Sequence, residues 1–441
     1  MKIAIAAMLC AACTGSTTLT DRQRLIVNVL AADNEQWSLR EPSLVAMKLA
    51  KMQRSPFLWL RGTAAVYWRD LTEPGAAVDM TFVDPASARV LIDGDPHPEN
   101  VGTFRASDGT LVVDWDDFDT AGYGPFEGDL RRCAAGLIVA AADDSLADPI
   151  ARAVAAGYTT QLGAPVADVG MGANAYLDKQ LGKAQENGDA GKDLDEIAPI
   201  GDDGARHLAL GDIDPVGDDG VIENRLVALT PSEQVFIASS IAQWSATHPG
   251  HGALVLAARK LGSGVSSYAA WRYDAVLADD TVLELKEERD GIAIAAEPRY
   301  AAAEWTTPAA RVVDAQLRMQ SRSDEDPELG AAEATPLSLR VHAETAYQRG
   351  LDNEDLAALA AGSDDKRAEL VGLAQVLGGM LARAHGQAIT EDGVRGDSVI
   401  RIDDADAFAD EISRLAQADA AQTVTDWESM KDMDLASLVI P

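Results

Sequence analysis

The chain has 441 residues, 47% of them hydrophobic and 24% charged, which excludes intrinsic disorder and predicts two or three packed units. No apolar run reaches the length of a membrane-spanning helix. Its formal net charge of -34, from 71 acidic against 37 basic residues, repels polyanions and argues against nucleic acid as a partner; any phosphate ligand would need local cations.

The first residues, Met1-Lys2 followed by Ile3-Ala4-Ile5-Ala6-Ala7-Met8-Leu9-Cys10-Ala11-Ala12-Cys13, combine a basic start, a short apolar core and small residues before a cysteine. They read as a lipoprotein signal over 1–13. Cys13 would be the lipidated first residue of an exported, membrane-attached chain, although Cys10 stands where such signals usually carry Leu. The alternative is an apolar N-terminal element of a cytoplasmic protein. Three cysteines cannot make a disulfide framework, and Cys133 reads as a buried thiol.

Residues 14–75 form an N-terminal helical segment, with Thr20-Asp21 leading into one amphipathic helix and 41–54 continuing helical. A second region spans 76–250. In it Arg89–Ile92 and Thr110–Val113 are short apolar runs flanking the turn signal Ser107-Asp108-Gly109, and they are predicted to pair as a hairpin. Residues 129–162 are Ala-rich and helical, 183–222 form an exposed acidic insertion rich in Gly and Asp, and Pro231 opens another helix. A second sheet is expected over 251–320, with Gly262-Ser263-Gly264 between strands and Val282–Lys286 alternating apolar and charged. Residues 321–336 read as a linker and 337–441 as helical.

The segment Gly94-Asp95-Pro96-His97-Pro98-Glu99-Asn100 follows an apolar strand, and Asp114 ends the next one. Phosphoryl transfer asks for a carboxylate to orient the acceptor hydroxyl, plus an Asn and an Asp to hold magnesium, which prefers such oxygen ligands. Asp95 fills the first role, Asn100 and Asp114 the second, with Asp117 as the alternative metal ligand. Asp114, Asp116, Asp117 and Asp119 repel one another unless cations relieve them. Along an extended strand Asp114 and Asp116 share one face and Asp117 and Asp119 the other. Phe118 excludes an EF-hand. Arg61, Arg131 and Arg132 could offset phosphate charge or cap a helix surface. His97 is expected to orient its Pro-flanked turn, His385 to be packed on a helix, and His248 with His251 to make no zinc pair.

The Asp-x-x-x-x-Asn spacing followed by Asp resembles the catalytic and metal-binding loops of aminoglycoside and choline kinase-like phosphotransferases. Gly262, Ser263, Gly264, Ser266 and Ser267 resemble a glycine-rich phosphate loop, and Lys286 follows as a phosphate-pairing lysine does in kinases. Both lie after the catalytic segment, whereas in ordinary kinases they precede it, so the order implied is circularly permuted. Asp314 is the candidate acid for Lys286, with Glu304 second. Met52–Gly62, Gly94–Asn100, Asp114–Asp119, Gly124–Arg132 with Asp129, Arg311–Gln316 and Leu381–His385 together resemble the bacterial family known as domain of unknown function 2252, which implies a kinase-like fold without an assigned substrate.

The expectation is therefore an α+β, protein-kinase-like, two-lobed and permuted fold with additional helices. It would use Mg2+ and ATP to phosphorylate a small molecule or polar acceptor. An exported chain would meet little ATP, so the rival is a non-catalytic metal- or ligand-binding lipoprotein. A third reading is a metal-dependent hydrolase built on Asp95, His97, Asp114 and Asp117.

Overall fold

The computed structural model describes residues 19–72, 80–189, 192–211, 220–290, 305–323, 326–334, 337–390 and 392–441. The signal reading of 1–13, with Cys13, lies outside them, as does Glu304. Among the described residues no helix is long and apolar enough to cross a membrane.

Four helices open the chain: α1 (Asp21–Arg40), α2 (Pro42–Met52), α3 (Pro56–Gly62) and α4 (Ala64–Thr72). Thr20 and Gln23 cap α1 reciprocally, and prolines at the first positions of α2 and α3 preset the helical φ where no N–H is needed.

The strands β1 (Val90–Ile92), β2 (Val101–Arg105), β3 (Leu111–Trp115) and β4 (Gly122–Gly124) follow, and here the predicted hairpin is corrected. β1 pairs with β4, and the partner of β3 is β2, a strand the sequence reading left as loop. Pro96 and Pro98 have no N–H for a ladder, so the chain turns away after β1 and resumes pairing only at Val101. The turn around Gly109 (φ +86) does join two strands, β2 and β3.

The predicted helical stretch 129–162 is two helices, α5 (Phe126–Ala141) and α6 (Ala147–Gln161), broken at Ala142 in the left-handed region. The acidic insertion holds the end of α7 (Ala175–Asp189) and α8 (Lys192–Ile197), before β5 (Arg225–Val227) and α9 (Pro231–Ser245). Then come β6 (Leu254–Leu261), β7 (Arg272–Leu277), β8 (Val282–Glu288), α10 (Pro308–Met319), β9 (Gly330–Ala334) and β10 (Leu337–Ala343). The chain closes with β11 (Arg349–Gly350), α11 (Asn353–Ala360), α12 (Asp364–Gln387), α13 (Ala405–Met430) and α14 (Leu435–Val439).

The protein is thus a mixed α+β fold. Its main sheet is six-stranded and antiparallel, ordered β5-β6-β7-β8-β10-β9, and a smaller sheet is ordered β11-β2-β3. The linker reading of 321–336 and the helical reading from 337 are corrected where β9 and β10 occupy them. Leu337-Ser338-Leu339-Arg340-Val341-His342 alternates with period two, and that alternation outweighs the Ala and Leu composition of the region.

The larger core surrounds α5, which is buried along its whole length and packs against α6, α11, α12 and α13. At the crossing of α6 and α12 the backbones nearly touch: a Cβ on Gly378 would stand 2.0 Å from the Val154 carbonyl oxygen, and one on Gly157 1.9 Å from that of Gln375. Gly378→Ala is therefore expected to destabilise the protein by about 1–3 kcal/mol or more, read as a lower urea midpoint, because backbone cannot yield as a side chain can. A second core lies under the sheet, where Ile237 and Trp244 of α9 meet Tyr273, Leu285 and Leu339.

Candidate functional site

The loop between β1 and β2 is fixed from beneath. Asp129, near the start of α5, accepts hydrogen bonds from the backbone N–H groups of Asp93 (2.8 Å) and Gly94 (3.0 Å). His385 of α12 lies 3.0 Å from the same carboxylate and meets Tyr158 through its other ring nitrogen, so it is packed, as expected. Gly94 has φ +89, and a Cβ there would come within 2.5 Å of the Thr120 carbonyl oxygen, so only glycine fits. The Asp93 carboxylate accepts from the Asp95 N–H at 3.0 Å, and the Asn100 side chain donates to the Asp95 carbonyl at 2.9 Å.

That framework presents the Asp95 carboxylate to a cleft of about 1030 Å³ between the β2–β3 hairpin and the six-stranded sheet. Asp95 accepts from Arg132 Nε at 2.7 Å, and His97 Nε2 stands 4.0 Å away. Burial raises the Asp95 carboxyl to about 6, against the pull of Arg132. Burial, helped by the charges of Arg61 and Arg132, pushes His97 well below its usual range, so it is neutral. Arg61, paired with Glu99, also lines the cleft.

Across the cleft, Lys286 on β8 is buried with its ammonium 3.3 Å from Asp117 and paired more closely with Asp119. Burial opposes its charge, but these two carboxylates hold its pKa above the usual value. Burial likewise disfavours the Asp117 anion; Lys286 prevails and keeps it ionised. Ser263, Gly264, Ser266 and Ser267 line the same cleft, and Arg272 donates to Ser267 Oγ at 3.3 Å. Gly262 (φ +77) backs onto Ile222 behind the loop and supplies its turn.

Several predicted residues fall elsewhere. Asp114 does not line the cleft: its carboxylate accepts from the backbone N–H of Ser321 (2.6 Å) and Trp115 (2.9 Å) and pairs with Arg383, all deep in the protein. The alternative ligand, Asp117, does line it. A strand buried on both faces sent Asp114 inward, where Arg383 of α12 meets it. Asp314 bonds Trp305 and Arg318 and does not meet Lys286. Arg131 pairs with Asp419 of α13, away from the cleft, whereas its neighbour Arg132 reaches Asp95.

Asp116 of the acidic run lines the cleft, as do four residues that escaped the sequence reading: Lys260, Arg272, Asp274 and Arg340. The signal for Arg272 and Asp274 was their two-residue spacing along β7, which puts them on one face, as Glu284 and Lys286 are on β8. Asp116 sits so close to β2 that a Cβ on Gly102 would lie 2.0 Å from its carboxylate oxygen. Burial first and Asp117 second raise its carboxyl to about 7.

Asp95 and Asp116 therefore keep protons in the native state at pH values where an unfolded carboxyl, titrating near 3.8, has lost them. The stability this confers is complete below about pH 4 and is lost as pH rises through 6 and 7. Urea unfolding is expected to show lower stability at pH 8 than at pH 5.5, with Asp116→Asn flattening the difference; an equal slope in the variant would refute the assignment.

No curated protein and no solved structure matches the chain. A family match covers residues 40–187 and 243–433, which include Asp95, Asn100, Asp117, Asp129 and Lys286. On that coverage the chain belongs to the family described as "Uncharacterized protein conserved in bacteria (DUF2252)".

Proposed function

We propose that the protein is a kinase-like phosphotransferase that uses Mg-ATP to phosphorylate a small molecule or polar acceptor. The observation that carries this reading is one cleft walled on one side by Asp95, Asn100 and Asp117 and on the other by Lys286 and the Ser263–Ser267 loop. Supporting it is the order of parts in the sheet. β6, a glycine loop, β7, the lysine strand β8 and helix α10 follow one another as the parts of a kinase nucleotide lobe do, here placed after the catalytic loop.

In this reading Asp95 orients the acceptor hydroxyl and receives its proton, for which a pKa raised toward 6 suits a base working near neutral pH. Asn100 and Asp117 hold the metal, and Lys286 with the loop serines and backbone holds the phosphates; magnesium supplies charge neutralisation between phosphate oxygens. The donor set fits, since carboxylate and amide oxygens are what magnesium takes. The hydrolase alternative is disfavoured: Asp114 is bound to Arg383, and His97 is buried without a hydrogen-bond partner for Nδ1 among the described residues. Attachment through Cys13 remains a separate proposal, tested by intact mass and detergent partitioning.

The test of function is thermal unfolding with ATP, magnesium or both. Magnesium and ATP together are expected to stabilise the protein by about 2.7 kcal/mol at a hundredfold excess over Kd. Full stabilisation by metal alone, with no further effect of ATP, would instead support a metal-binding module.

A further inference from the structure

Lys286 is one member of a longer series. It stands opposite Arg272 of β7 on one side and Arg340 of β10 on the other. Lys260 of β6 lies one residue beyond the pair Arg259–Tyr273, which sets it beside Arg272. All four line the cleft. Four neighbouring strands thus carry four cations in a single row, which at about 4.8 Å per strand extends about 14 Å. This is longer than the phosphate chain of a nucleoside triphosphate.

Like charges placed side by side across strands repel, so such a row needs counterions. Lys260 lies 3.0 Å from Glu344 and 3.5 Å from Asp274, Arg272 lies 2.9 Å from Glu284, and Arg340 lies 3.5 Å from Glu288. Three of these acids, Glu344, Asp274 and Glu284, line the cleft too, so a phosphate chain that takes over the cations leaves carboxylates to hold the divalent ions accompanying it.

The next row on the same face, about 7 Å along the strands, is Asp274, Glu284 and His342. A nucleobase is held by stacking or by apolar packing, and its π face repels carboxylates. This row offers no such platform. Of the Phe and Tyr rings at the cleft, Phe104 lies across from this row on β2, and Tyr347 is covered by the Arg105 guanidinium, 4.8 Å from its centroid.

We infer that the phosphoryl donor is recognised through its phosphate chain and not its base, so that a linear inorganic polyphosphate serves as well as a nucleotide. This rests on the phosphotransferase reading. Lys286 and Arg340 grip the reacting end, while Arg272 and Lys260 grip phosphates further along. The acceptor oxygen bonds to the terminal phosphorus as the bridging P–O bond breaks. The shortened chain leaves carrying the electron pair, and the acceptor proton passes to Asp95.

The experiment compares ATP, GTP, tripolyphosphate and a longer polyphosphate, each with magnesium, by thermal unfolding of the full chain and by phosphoryl transfer. ATP and GTP are expected to bind alike, and the longer polyphosphate at least as tightly. Lys260→Met is expected to weaken the longer polyphosphate about tenfold, the loss of one charge-assisted contact. ATP binding about tenfold or more tightly than GTP and tripolyphosphate would overturn the inference and leave the phosphotransferase reading standing. Failure of every magnesium–phosphate ligand to bind would remove both. The ligand comparison needs no variant and therefore decides the matter even if Lys260→Met folds poorly.

Discussion

Asp95→Asn is expected to lower phosphoryl transfer by about 10²–10⁴-fold, the range of a positioned proton acceptor, while leaving magnesium–nucleotide binding within about twofold. Asparagine keeps an oxygen that can accept from Arg132 Nε, the contact now made at 2.7 Å, so the loop need not move. The change also removes a buried anion, and nothing in it touches Lys286 or the glycine loop. Initial rates of ADP formation, set beside thermal shifts with Mg-ATP, separate the two effects. Parallel loss of rate and binding in a folded variant would take Asp95 out of the acceptor role. The same assignment predicts an acid limb in the rate profile near pH 6, since a protonated Asp95 accepts nothing.

A second contrast separates two aspartates three residues apart. Asp114→Asn is expected to destabilise the protein by about 3–5 kcal/mol, the cost of leaving a buried ion without its counterion. Arg383 is itself buried, and its Nε and Nη1 have no hydrogen-bond partner among the described residues. Asp117→Asn is expected to change stability little, because Lys286 retains Asp119, yet to abolish the magnesium dependence of nucleotide binding. Urea unfolding and a magnesium titration on both variants check this. A stable Asp114→Asn protein that no longer responds to magnesium would exchange the two roles.

The sequence made much of the site legible because its chemistry is concentrated in short motifs. Gly94–Asn100, the acidic run 114–119, the glycine loop and Lys286 are each local, and spacing together with resemblance to kinase loops marked them. It was less informative about which acid of the run faces the cleft. Asp114 and Asp117 have the same side chain in the same run, and partners far along the chain, Ser321 and Arg383, hold one of them inward. The acid opposite Lys286 was sought on the helix after it, at Asp314, and proved to be Asp117 with Asp119 from the other wall of the cleft. Proline-bearing loops likewise misled the strand pairing, since β1 pairs with β4, beyond the intervening β2–β3 hairpin in the chain.

By itself, then, the sequence determined the mixed α+β character, the main helices, the motif residues and the family, all of which depend on local propensity, periodicity and residue order. Tertiary structure decided the cross-strand row of Lys260, Arg272, Lys286 and Arg340, the burial of Asp114 and the meeting of Lys286 with Asp117. These depend on strand register and long-range charge pairing. A shift of one residue in register turns every side chain to the other face, and that choice is settled by packing between segments far apart in the chain.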